Sequence, residues 1–339
     1  MHVAVVTVVR NAIDALDDFL AHHLVIANRI HVVDHLSDDG TYELLAARAE
    51  QDPRIVLATF DFKQFFQGAV MTALAKQAVA HGADWVLPLD VDEFLPYRSA
   101  EELQLALAGS GSQLVRFEWL NCVAQALPTE NGPMDWSVPF LSLPSEPAST
   151  KVAIASNLVA LRDFRVSHGA HNIELKTRES LNGRLVGRLL HFPIRSVEQA
   201  REKYRLNGES HLAMNRRTPK LSKHYFVMAD AFEGNYCVEE IQSLALLYPR
   251  RGDAGIVDHA ELVSFRPNRR FPDRPELAPP TLRNPRHSPL RQEEVCAAIR
   301  GGEVVLRAIP LWRTRRLLHV SRAFVLRLRE WILVRLRSD

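Results

Sequence analysis

The chain has 339 residues, 47% hydrophobic and 24% charged, with 42 Lys and Arg against 40 Asp and Glu for a formal net charge of +2. That composition excludes wholesale disorder, and the balanced charge singles out neither nucleic acid nor membrane as a global partner. Three widely spaced cysteines, Cys122, Cys237 and Cys296, with no Cys-x-x-Cys, exclude a disulfide framework and a zinc ribbon and fit a reducing compartment.

Apolar β-rich runs alternate with helical patterns from the start, as βαβ units around a largely parallel sheet require. The first predicted strand is Val3 to Val9. Asn11 is placed to cap the helix after it, in which Phe19, His23 and Ile26 recur at helical spacing. A second strand, Ile30 to Asp34, is followed by the turn Ser37-Asp-Asp-Gly40, a short helix near Tyr42 to Ala49 and a third strand from Arg54 to Phe60. The helix from Gln67 to His81 puts Val70, Leu74 and Ala78 on one face and leads into the strand Trp85 to Leu89. Pro88 jars there, because it cannot donate a ladder hydrogen bond.

That fourth strand ends in three carboxylates, Asp90, Asp92 and Glu93. In an open α/β sheet ligands sit outside the carboxyl ends of the strands, and a hard divalent cation there is shared between one or two carboxylates and substrate phosphates. The pattern therefore points to a phosphate-bearing substrate. An EF-hand is excluded, since Leu95 sits where that loop needs glycine.

Beyond a helix at Glu101 to Ala108, the strand Gln113 to Leu120 alternates Val115, Phe117 and Trp119 with Arg116 and Glu118. Residues 128–149 are rich in Pro and Ser and read as a long loop over the site. His168, His171 and His191 follow as a histidine cluster, with local hydrogen bonding as the plainer role of the first two. Residues 265–291 are dense in Pro and Arg and read as a linker without its own core. In the last segment Arg315, Arg322 and Arg329 line up opposite Leu317, Phe324, Leu328 and Trp331. A helix of this kind either lies on an anionic membrane surface or packs on its own domain.

In order along the chain, Val-Val-Arg-Asn11, Val-Val-Asp34-His-Leu-Ser-Asp-Asp-Gly-Thr41, the helix with Gln67, Asp84-Trp-Val-Leu-Pro-Leu-Asp-Val-Asp-Glu-Phe-Leu95, Thr150-Lys-Val-Ala, Ser167-His-Gly-Ala-His-Asn172 and Leu190-His-Phe-Pro-Ile-Arg-Ser196 form an ordered set. Over residues 3–210 it resembles the family 2 glycosyltransferases of the GT-A fold, and within them the subset related to family 92. The resemblance implies an α/β GT-A fold with a mixed, mainly parallel central sheet over residues 1–230. A helical extension at 231–264, the Pro/Arg-rich linker at 265–291 and a basic amphipathic tail at 292–339 would follow.

It also implies transfer of a sugar, by an inverting route, from a nucleotide-sugar (a UDP-sugar favoured) to a hydroxyl of a glycan or similar acceptor, with Mn²⁺ or Mg²⁺. On this reading Asn11, Asp34, Asp38, Gln67, Asp90, Lys151 and Lys203 bind the donor, and Asp90, Asp92 and His191 hold the metal. Glu93, then Glu118 and Glu130, are the candidates for the base that takes the acceptor's proton. Ala12 stands where the family often has an acid, a place Asp14 can fill, and Leu-Asn-Cys-Val-Ala replaces the aromatic-glycine segment expected after Trp119. The expected setting is cytoplasmic, peripheral on the membrane if the tail binds it, with no nucleic acid partner. The rival readings are a non-catalytic binding protein of the same fold and an Asp-x-Asp phosphohydrolase, whose motif normally follows the first strand rather than the fourth.

Overall fold

The computed structural model describes residues 1–61, 66–144, 149–175, 181–213 and 261–268, with positions 238, 241, 271–273, 275 and 277. It opens with β1 (Val3–Val9), α1 (Leu16–Ile26), β2 (Arg29–Asp34), α2 (Thr41–Gln51), β3 (Ile55–Thr59), α3 (Gln67–Ala80) and β4 (Trp85–Pro88). A two-residue β5 (Glu93–Phe94), α4 (Ala100–Gly109) and the long β6 (Leu114–Ala124) come next. Then follow β7 (Phe140–Pro144), β8 (Thr150–Ala155), α5 (Ser156–Val159), β9 (Arg165–Val166), β10 (Ile173–Glu174), β11 (Arg184–His191), α6 (Val197–Ala213) and β12 (Glu261–Val263).

The sheet is mixed, as expected. Its strands run in the order β12-β7-β6-β8-β4-β1-β2-β3. The β3-β2-β1-β4 half is parallel, in registers such as Val5↔Ile30 and Val5↔Leu87. β8 runs antiparallel to both β4 and β6, and β11 runs parallel to β6 from Arg184↔Val115 to His191↔Asn121. Alternation along β1 builds both faces: Val3, Val5 and Val9 join the core under α1, α2 and α4, while Ala4 and Val6 join the core under α3 and α5. Helices on both faces suit a parallel half-sheet that water does not reach.

Local chemistry explains the start of α4 and the place of Pro88. The Ser99 hydroxyl accepts from Glu102 N at the start of α4, and Glu101 and Glu102 sit in its first turn, where the helix dipole favours acids. Pro88 is harmless because the β4–β8 ladder stops at Val86, while Leu89 N takes up the bond to Val6 O on the other side.

Several expectations need correction. Asn11 does not cap α1, which starts at Leu16 without a side-chain cap. The 128–149 stretch is not all loop, since it contains β7, which pairs with β6 from Leu120↔Pro144 to Ala124↔Phe140. In the segment expected to be helical, Glu261–Val263 is an edge strand on β7. The start of the expected linker is packed rather than loose: Phe265 is 3% exposed and Asn268 N donates to His22 Nδ1 at 3.1 Å. The arginine-striped tail lies outside the described residues.

Candidate functional site

The strand order reverses beside β1, whose neighbours are β2 and β4, so a crevice opens at the carboxyl ends of these strands. Three groups of side chains line that rim.

After β1 and β2, Asn11 takes the left-handed conformation at φ 49°. Its N–H donates to Ser37 Oγ at 3.0 Å, its side-chain NH₂ donates to Asp38 Oδ1 at 2.7 Å, and its carbonyl oxygen accepts from Asp38 N at 3.0 Å. Asn tolerates this conformation better than other non-glycine residues, so the residue spent on capping in the sequence reading instead clamps two turns together. Asp34, fully buried at the end of β2, receives Ser37 N at 3.4 Å.

After β4 comes Asp90. Gln67 Nε2 donates to its Oδ1 at 2.8 Å and Lys151 Nζ to its Oδ2 at 2.7 Å. Gln67 Oε1 in turn accepts from Gly169 N at 3.0 Å, tying the first turn of α3 to the histidine-rich turn. Lys151, on β8, is completely buried and also meets Glu93 Oε2 at 3.0 Å. Burial opposes the charge on Lys151, but Asp90 and Glu93 outweigh it and raise its pKa. Glu93 is itself completely buried and accepts from Asp90 N at 2.9 Å. Burial raises its pKa well above the usual carboxylate range, with Lys151 opposing.

The third group surrounds Asp92. Pairing of β5 with β11 sets His191 opposite Glu93, and Phe192 N donates to Asp92 O at 2.8 Å. Lys203, on α6, donates to Asp92 Oδ2 at 2.6 Å. His191 Nε2 lies 3.7 Å from Asp92 Oδ1, and Arg195 Nη1 lies 3.7 Å from Oδ2. Burial would raise Asp92, yet the positive charges of Lys203 and, farther off, Arg195 overcome it and hold the carboxyl far below its usual range. Burial keeps His191 neutral. Its Nδ1–H donates to Asn121 Oδ1 at 2.9 Å, which leaves the lone pair of Nε2 facing Asp92, and Trp119 stacks on the ring at 4.0 Å between centroids.

Arg195 and Asn121 were not singled out in the sequence. Arg195 is 7% exposed and grips Asp14 through two bonds of 2.6 and 2.9 Å. An arginine directly after the largely apolar run from Leu189 to Ile194, just before Ser196, is the signal that would have found it. Of the three base candidates, Glu93 has no exposed surface, so it supports Asp90 and Lys151 rather than meeting an acceptor. Glu118 is half-buried and 3.3 Å from Arg188, and Glu130 is exposed in the loop before β7. His168 and His171 sit beside the Asp90 group; His171 Nδ1–H donates to Thr150 O at 3.0 Å, the local role expected of it.

Among the described residues no cluster of three or more His, Cys, Asp or Glu donors closes on a common point. Asp92 and His191 nevertheless suit a divalent ion that takes its other ligands from phosphate. Two donors 3.7 Å apart can each lie about 2.1 Å from one ion. Asp90, with both oxygens engaged by Gln67 and Lys151, stands apart from that pair.

No protein-family model and no curated protein matches the chain. Among solved structures it is similar to TarS 1–349 of S. aureus, at 14% identity over 73% of this chain and 74% of that one, with a TM-score of 0.37. The same protein in complex with UDP-GlcNAc matches at 16% identity over 69% and 72%, with a TM-score of 0.37. The mannosyltransferase PcManGT of Pyrobaculum calidifontis, in complex with GDP-Man and Mn²⁺, matches at 14% identity over 73% and 74%, with a TM-score of 0.34.

Proposed function

We propose that the chain is a glycosyltransferase that moves a sugar from a nucleotide-sugar to an acceptor hydroxyl with the help of Mn²⁺ or Mg²⁺. The observation that carries this reading is the convergence of Asp92, His191, Lys203 and Arg195 at the carboxyl-terminal rim of the parallel strands. A site with one buried carboxylate, one neutral imidazole and two cations is built for a ligand that is itself multiply anionic, as a diphosphate is.

In this reading Asn11, Asp34 and Asp38 form the wall that meets the nucleoside, and Asp90, fixed by Gln67 and Lys151, meets the ribose. Asp92 and His191 hold the divalent ion. When bound, the ion acts as a Lewis acid on the charge that builds on the departing nucleoside diphosphate. Arg195 is anchored by Asp14 and keeps Asp92 ionised and in place, while Lys203 supplies a movable positive charge to the leaving group. Lys151 is too deep to touch a donor and works through Asp90, so its part is to position.

Calorimetric titration with UDP, GDP and CMP, each with and without Mn²⁺, tests the proposal alongside Asp92→Asn. The expected result is binding of one nucleotide that depends on both metal and Asp92, with circular dichroism unchanged in the variant. Absence of nucleotide binding under every condition would favour a non-catalytic descendant of the fold.

A further inference from the structure

We infer that Lys203 competes internally with the divalent cation for Asp92, so that metal enters with the donor and not ahead of it. The inference rests on the donor-site reading above and adds to it an order of assembly. It stands on the unequal freedom of the cations around the acids. Lys151 has no exposed surface and is shared between Asp90 and Glu93. Arg195 is pinned by two bonds to Asp14, with both side chains nearly inaccessible. Lys203 differs, with 26% of its side chain exposed and its ammonium held by Asp92 Oδ2 at 2.6 Å and the Pro193 carbonyl at 3.1 Å.

A dication arriving alone at Asp92 therefore finds one carboxylate oxygen occupied by a short, largely shielded charge-assisted bond, which it must break. A diphosphate arriving in the same crevice changes the exchange. Lysine carries three donors on a flexible stem, so its ammonium can trade the carboxylate for a phosphate oxygen and release Oδ2. Donor and ion then strengthen each other's binding, and by linkage the effect is equal in both directions.

The test is Mn²⁺ binding to the full chain, read from the electron paramagnetic resonance of free Mn²⁺, with and without UDP and, as a second probe, GDP. Wild type, Lys203→Met and Lys203→Arg are compared. Lys203→Met should bind Mn²⁺ about tenfold or more tightly without nucleotide, the scale of one charge-assisted bond. It should also lose most of the enhancement that nucleotide brings. Lys203→Arg keeps the competing charge and should remain near wild type, which separates the effect from altered folding. If Lys203→Met binds Mn²⁺ no more tightly than wild type, while wild type still binds it with nucleotide, the competition is refuted and the donor-site reading stands. If no form binds Mn²⁺ with or without either nucleotide, both fall.

Discussion

Lys151 and Glu93 form an ion pair at 3.0 Å in which neither side chain has any exposed surface, directly beneath Asp90. Such a cluster gains little net stability by existing, because its groups are desolvated, but removing Lys151 takes from Asp90 and Glu93 the cation that they share.

Lys151→Met should therefore cost about 3–5 kcal/mol in urea unfolding. Adding Glu93→Gln should recover part of that loss, since the two sites are in contact and cannot be additive. A single variant as stable as wild type would show that Lys151 is not the counter-ion of this cluster.

Acid should weaken the fold before any carboxylate of ordinary pKa titrates. His22 and His31 are both fully buried, and burial lowers each to about 4, against the opposing hydrogen bonds from Leu95 and Gln77 respectively; burial also lowers His23. These rings are neutral when folded but take a proton below about pH 6.5 when unfolded, so the unfolded state binds more protons and stability falls as pH drops from 6.5 towards 4. His22 shows why: its Nε2–H donates to Leu95 O and its Nδ1 accepts from Asn268 N, so a second proton breaks a bond. His22 and His31 each contribute at most roughly 3 kcal/mol at the acid end. Glu93 acts in the opposite sense, one carboxyl against three imidazoles. A urea midpoint unchanged between pH 7 and 4.5 would contradict this.

Asn121→Ala removes the acceptor that fixes the tautomer of His191, a partner of the kind whose loss weakens metal affinity about 10–100-fold. Mn²⁺ titration in the presence of nucleotide reads the change, with thermal unfolding as the control. Equal Mn²⁺ affinity in a folded variant would remove His191 from the proposed ligand pair.

Gly68 lies in the first turn of α3, where a Cβ would stand 2.7 Å from Val166 O. That contact is to backbone, so Gly68→Ala must push α3 away from β9 and should cost about 1–3 kcal/mol. Because Gln67 bridges Asp90 and Gly169 from the preceding position, nucleotide affinity should fall as well. A variant with wild-type stability would mean that the helix yields without strain.

The parallel half of the sheet and the position of the acids were legible because alternation along β1 and β2 and the apolar stripe of α3 report burial directly. Burial of a charged residue leaves no such mark. Glu93 reads as an available base, and Lys151 as a phosphate ligand, until the antiparallel β8 is seen to carry Lys151 beneath them. Asn11 before a helical pattern reads as a cap, since only its φ of 49° reveals the clamp on Asp38. Strand β7 and the edge strand β12 escape such a reading because short segments rich in Pro and Ser, or only three residues long, carry no usable period.

The described residues between Glu261 and Leu277 are stitched onto the earlier part of the chain. Glu261–Val263 extends the sheet, Phe265 packs on Phe94 and Phe192, Arg48 reaches Asp273 O and stacks on Phe271, and Leu277 rests on the same core. A protein shortened at residue 230, where the sequence alone suggests the domain ends, would uncover the aromatic cluster of Phe94, Trp136 and Phe192, on which Phe265 packs, and invite aggregation. Versions cut for solution work should keep everything up to Leu277.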